Sequence, residues 1–160
     1  MANNIDNLEY KINAALADDL HTHLSNCSGS FTPELSERVN IATYAAKIAA
    51  NAVTFEAWDD RSLIGLIAAY FNDDAHICGY ITSVSVYRDY KGKGLASTLL
   101  RQCITYGKKN DFKEIFLEVN KLNFAAIQLY KKYNFEQKNK QGDYVVMHLV
   151  LNNSNGNFDK

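Results

Sequence analysis

One proline, Pro33, stands in 160 residues, so almost no stretch is barred from a helix or a sheet on that account. Cysteine is scarce as well. Cys27, Cys78 and Cys103 are odd in number, far apart and set in apolar patterns. That excludes a disulfide frame or a metal cage and reads as reduced core thiols of a cytoplasmic protein. Excess charge of either sign is missing: 17 Lys and Arg against 18 Asp and Glu leave a net charge of −1. So balanced a chain lacks the basic footprint that nucleic acid demands. No apolar run approaches a membrane span, and MANNIDNLEYK lacks the basic-then-apolar pattern of a signal peptide, so no membrane partner is expected.

What remains is an ordinary globular composition, 47% hydrophobic and 22% charged. One domain over residues 1–151 is expected, with 152–160, NNSNGNFDK, as a disordered tail. A short extended segment, Tyr10 to Asn13, precedes a helix from Ala17 to Cys27, on which Leu20, Leu24 and Cys27 share a face and after which Gly29 is a stop. Ser28 to Arg38 reads as a loop. Asn40 can cap a second helix with the stripe Ile41, Tyr44, Ala45, Ile48 and Ala52. Strands at Val53 to Trp58, Leu63 to Phe71 and His76 to Tyr87, joined by tight turns, make an antiparallel meander.

In the third of these strands Ile77 and Ile81 hold one alternation phase and Val84 and Val86 the other. A slip of one residue is what a β-bulge produces, here between Thr82 and Val84, and it would bend the strand away from its neighbour. Next comes Lys91-Gly92-Lys93-Gly94-Leu95-Ala96, a glycine turn opening a helix that runs to Lys109. Such a junction aims several N–H groups and the positive end of a helix dipole at one spot, a ready phosphate site. Arg88, Lys91 and Lys93 crowd it, opposed by Asp89. Ile115 to Val119 reads as a strand covered on both faces, parallel to the one before the helix. A last long helix, Asn123 to Tyr133, ends at Asn134, and a hairpin around Gly142 completes the chain. The fold class is α/β with a mixed sheet: meander, parallel β-α-β crossover, helix, hairpin.

A Gly-x-Gly turn between strand and helix also opens dinucleotide-binding folds. Ser97 in the third glycine position and the preceding meander count against that reading. His21 and His23 fall on different helix faces and are expected to be exposed; His76 and His148 are read as structural, and no metal site is expected.

The segment Tyr80 to Phe135 resembles the GCN5-related N-acetyltransferases, the GNAT family. Lys91-Gly92-Lys93-Gly94-Leu95-Ala96 is similar to its acetyl-CoA signature, with Lys in place of Arg or Gln, and LEVNKLNFAAIQLYKKYNF resembles its downstream Leu-Glu-Val, Asn and Ala-Ile-x-Leu-Tyr pattern. The likeness is greatest to the branch that acetylates protein N-terminal amines. It implies acetyl-CoA as co-substrate and an amine acceptor, a small molecule or a peptide, and it leaves a homodimer open. It implies that the main chain of Val84, Ser85 and Val86 holds the pantetheine arm, that Lys91 to Ala96 hold the pyrophosphate, and that Asn123 hydrogen-bonds the coenzyme. Tyr130 would face the sulfur. Glu118 matches a residue used as general base in part of the family, or else bonds the neighbouring loop. Ser36, Glu37 and Arg38 fall where members line the acceptor pocket, and are read as that wall or as solvated loop. A non-catalytic acyl-CoA sensor on the same fold is the alternative function.

Overall fold

Where two neighbouring strands stop pairing decides the layout of this protein. The computed structural model describes residues 7–151; the tail expected to be disordered lies outside them. The elements are β1 (Glu9–Ile12), α1 (Ala17–Cys27), α2 (Leu35–Arg38), α3 (Ile41–Asn51), β2 (Val53–Asp59), β3 (Ser62–Tyr70), β4 (Cys78–Val86), α4 (Leu95–Lys109), β5 (Glu114–Asn120), α5 (Phe124–Lys132), β6 (Glu136–Gln141) and β7 (Tyr144–Val150). They form a seven-stranded sheet in the order β1-β2-β3-β4-β5-β7-β6. β4 and β5 pair in parallel through the α4 crossover, and the remaining pairs are antiparallel.

The expected bulge is present. Ala68 pairs with Ser83 but Ala69 pairs with Ile81, which leaves Thr82 as the extra residue. The phase slip follows from it. Ile81 and Val86 belong to the core beneath α4, with Val84 packed against it, whereas Ser83 and Ser85 turn to the opposite face. β4 and β5 pair only from Cys78 and Glu114 to Ile81 and Leu117. Beyond the bulge the two strands part, and a cleft opens between Thr82–Val86 and Glu118–Asn120.

Two apolar layers flank the sheet. One gathers Leu20 and Leu24 of α1, Ala45 and Ile48 of α3, and Leu63, Leu66 and Ala68 of β3. The other gathers Leu99, Leu100 and Cys103 of α4, Ile64 and Ile67 of β3, and Ile115, Leu117 and Met147. α3 starts as expected, with Asn40 Oδ1 accepting the Thr43 N–H at 2.9 Å. Gly107 permits close packing of α4, because an added Cβ would lie 2.9 Å from Leu151 Cδ1.

Four expectations need correction. The Ser28 to Arg38 segment is not all loop: Gly29 lies inside a 3₁₀ turn, and α2 follows, seated by buried Leu35. Ile77 precedes β4 and is exposed. β5 is covered on one face only, since Ile115, Leu117 and Val119 are buried while Glu118 is exposed. His23 is not exposed. It is fully buried on the face of α1 that carries Leu20, Leu24 and Cys27.

Candidate functional site

The cleft opened by the splayed strands has a volume of about 540 Å³. Its floor on one side is β4. The Tyr87 N–H donates to the Ile64 carbonyl at 2.8 Å, so Tyr87 faces β3. Alternation along an antiparallel strand then turns the N–H and C=O groups of Val86 and Val84 the other way, toward the side that β5 has left. This edge can accept an extended chain as one more strand.

At the far end of the cleft stands the glycine turn. Gly92 and Gly94 have φ of +77° and +83°, the left-handed region that side chains disfavour. No atom lies within 4 Å of where a Cβ would be at either, so conformation and not crowding selects glycine here. Gly94 is the N-cap of α4 and supplies no side-chain cap, and the first-turn N–H groups that follow it have no acceptor within the helix. The turn is tethered by Tyr90, whose hydroxyl donates to the Asp59 carboxylate.

Tyr130, on α5, closes the third side. Its side chain is 5% exposed, its ring lies 5.8 Å from that of Phe135, and it borders the cleft. Burial pushes its phenol well above the ordinary tyrosine range, so it is a hydrogen-bond donor at neutral pH. Asn123 caps α5: its Oδ1 accepts the Ala126 N–H at 3.2 Å, which leaves its Nδ2 group as a donor on the cleft wall. One residue thus both anchors the helix that carries Tyr130 and faces the space beside it.

Of the residues singled out from the sequence, Val84, Ser85, Val86, Lys91, Gly92, Gly94, Leu95, Ala96, Glu118, Asn123 and Tyr130 border this single cleft. Lys93 does not. Glu118 is exposed and follows Leu117, the last β5 residue paired with β4.

Sequence reasoning missed a buried pair beneath β4. The His23 Nδ1 lies 2.8 Å from the Leu63 carbonyl and its Nε2 lies 2.8 Å from Ser85 Oγ. A carbonyl only accepts, so Nδ1 carries the proton and the Ser85 hydroxyl donates to Nε2. The ring stacks on Tyr87 with centroids 5.1 Å apart. His23 therefore braces the strand that floors the cleft. The signal was there to find: a histidine three residues after Leu20 and four before Cys27 falls on the apolar face.

Burial lowers this imidazole from 6.5 to about 4. The unfolded chain takes up the proton below pH 6.5 while the folded chain resists it until about pH 4. Stability from His23 is therefore complete above pH 6.5 and lost as pH falls toward 4, by about 3 kcal/mol. An NMR titration of the His23 ring will show it neutral at pH 5.5; protonation near pH 6.5 contradicts the buried, bonded position.

Residues 17–135 match the model of the Acetyltransferase (GNAT) family. An N-alpha-acetyltransferase of Saccharolobus solfataricus is 43% identical over 61 residues, which cover 37% of this chain and 36% of that protein. The chain thus spans about a third of that relative. Among solved structures, the PaiA N-acetyltransferase of Thermoplasma acidophilum, in complex with coenzyme A, superposes with a TM-score of 0.71 at 18% identity, over 89% of this chain and 99% of that one. The ribosomal-protein-S18-alanine N-acetyltransferase of Escherichia coli gives 0.69 at 19% identity, over 93% and 98%. These structural likenesses establish a shared fold, and together with the match across residues 17–135 they place the chain: it belongs to the GNAT acetyltransferase family.

Proposed function

We propose that the protein is an acetyl-CoA-dependent N-acetyltransferase that passes an acetyl group to a primary amine in a ternary complex. The observation that carries this reading is the convergence on one cleft of a glycine-opened helix N-terminus, a free strand edge and a buried phenol. The first suits a diphosphate. The second suits an extended arm ending in an amide and a thioester, and the third can donate to a departing sulfur. Acetyl-CoA supplies an activated acyl thioester.

The chain's own residues do the rest. The N–H groups of the Gly94–Ala96 turn and the Lys91 ammonium hold the diphosphate; Lys91 acts as a point charge without the planar fork of arginine. The Asn123 Nδ2 group and the Val84 main chain orient the arm. The Val86 N–H points into the cleft and stabilises charge on the acyl oxygen. Glu118, directly or through water, takes the proton that the amine must lose. The new C–N bond replaces the C–S bond, and Tyr130 donates a hydrogen bond to the departing sulfur. Holding both substrates in one cleft removes the entropy cost of their encounter. No cysteine acts: Cys27 and Cys103 are buried, and Cys78, expected in the core, is half-buried with its thiol donating to the Glu114 carboxylate at 3.3 Å. We place the enzyme in the cytoplasm, where such thiols stay reduced.

The sensor reading shares the coenzyme site but accounts less well for a carboxylate and a phenol brought to the same cleft. The two are separated by turnover. Acetyl-CoA is expected to raise the melting temperature, and a panel of amines to release free CoA thiol. Stabilisation by NAD and not by acetyl-CoA rejects the transferase.

A further inference from the structure

The amine-facing half of the cleft lies on the sheet face shared with α1 and α3, where Glu118 of β5 is exposed and Tyr144 of β7 half-buried. Two charges of opposite sign border it. Glu118 comes from β5. Arg38 comes from α2, the helical turn that the sequence did not reveal. The Arg38 guanidinium reaches across to β7 and lies over the Tyr144 ring, 5.7 Å from its centroid. A cation–π contact of this kind uses none of the guanidinium N–H groups in hydrogen bonds. Among the described residues, no carboxylate lies within 4.0 Å of Arg38, Glu118 included.

Tyr80 borders the same cleft as both. Its phenol is raised first by burial and then by the Glu118 carboxylate, while the Arg38 charge acts in the opposite sense. Both charges are thus within electrostatic reach of one hydroxyl and neither neutralises the other directly. A cleft wall with an unpaired cation and an unpaired anion is complementary to a molecule that carries both signs.

We propose that the acceptor is a small amine bearing an anionic oxygen group, a carboxylate or a phosphate, with the amine toward Glu118 and the anion on the N–H edge of Arg38. The inference rests on the transferase reading above. Arg38 of α2 and Tyr144 of β7 both border the cleft and meet there, and a wall closed in this way favours a compact acceptor over a long peptide. Arginine presents paired donors that match a carboxylate or phosphate, and a charge-assisted pair of this kind is stronger than a neutral one.

The test compares matched acceptors in the intact protein with saturating acetyl-CoA. α-, β- and γ-amino acids are paired with their carboxamides, O-phosphoethanolamine with ethanolamine, and an uncharged tetrapeptide amide represents protein N-termini. At least one anionic acceptor is expected to exceed its neutral partner tenfold or more in kcat/KM, and which series does so identifies carboxylate or phosphate. In Arg38→Gln that ratio should fall toward one, mainly through a higher KM for the anionic member. A ratio that survives in Arg38→Gln, or neutral acceptors that match or exceed every anionic one, overturns the inference and leaves the transferase standing. Preference for the tetrapeptide does the same. No thiol release with any amine overturns both, and acetyl-CoA stabilisation measured alongside shows whether the coenzyme site survives.

Discussion

Tyr130→Phe is expected to lower kcat about a hundredfold while the KM for acetyl-CoA and the melting temperature change little. The change removes one oxygen from a ring that is 5% exposed and packed near Phe135, so the apolar contacts persist. What goes is the hydroxyl to which the proposed mechanism assigns the donation to the leaving sulfur. From ordinary values, a phenol near pKa ~10 and a thiol near ~8.5 could share a proton for about 2 kcal/mol. Burial raises the Tyr130 phenol beyond that, so complete transfer is costlier than the sequence implied. In the proposed mechanism the group therefore serves as a hydrogen-bond donor, and the thiolate would collect its proton afterwards from solvent. Unchanged kcat in Tyr130→Phe would remove the residue from the chemistry.

The second large effect concerns stability. Glu56 of β2 is 0% exposed, yet its carboxylate is well served. Oε2 accepts the N–H groups of Ala14 and Ala15 at 3.1 and 3.0 Å and the Thr54 hydroxyl; Oε1 accepts Trp58 Nε1 at 2.8 Å. This one side chain fastens the start of α1 to the meander. Glu56→Ala would strand four donors, two of them main-chain. The two buried donors, Thr54 and Trp58, cost about 1–3 kcal/mol each when orphaned and the partly exposed main-chain pair less, so a loss of roughly 3 kcal/mol, near 10 °C in Tm, is expected. A denaturant midpoint that moves by less than the equivalent of about 1 kcal/mol would show that water replaces the lost acceptor.

The legible parts of the fold were those written locally. The phase slip from Ile81 to Val84 gave the bulge, because side-chain alternation is fixed by the pleat. Gly92 and Gly94 marked the turn through the left-handed backbone that it demands. Asn40 announced a helix by capping it, whereas Asn123, expected as the first residue of the last helix, is its cap.

What the sequence hid was non-local. α2 is a single turn, too short to show periodicity, yet it carries Arg38 to the cleft. The donors to Glu56 include main-chain groups about 40 residues away, which no pattern around VTFEAW could reveal. The run EIFLEV looked apolar on both faces, but the two glutamates mark the uncovered side of β5. His23 carried a readable signal that was outweighed by treating His21 and His23 as a pair.

If the β4 edge and the glycine turn together hold acetyl-CoA, an amide NMR titration with the coenzyme will reveal it. Saturable shifts should concentrate at Val84, Val86 and Gly92 to Ala96, with the Asn123 side-chain amide moving in step. Saturable shifts confined to other parts of the protein, with those amides unmoved, would contradict it.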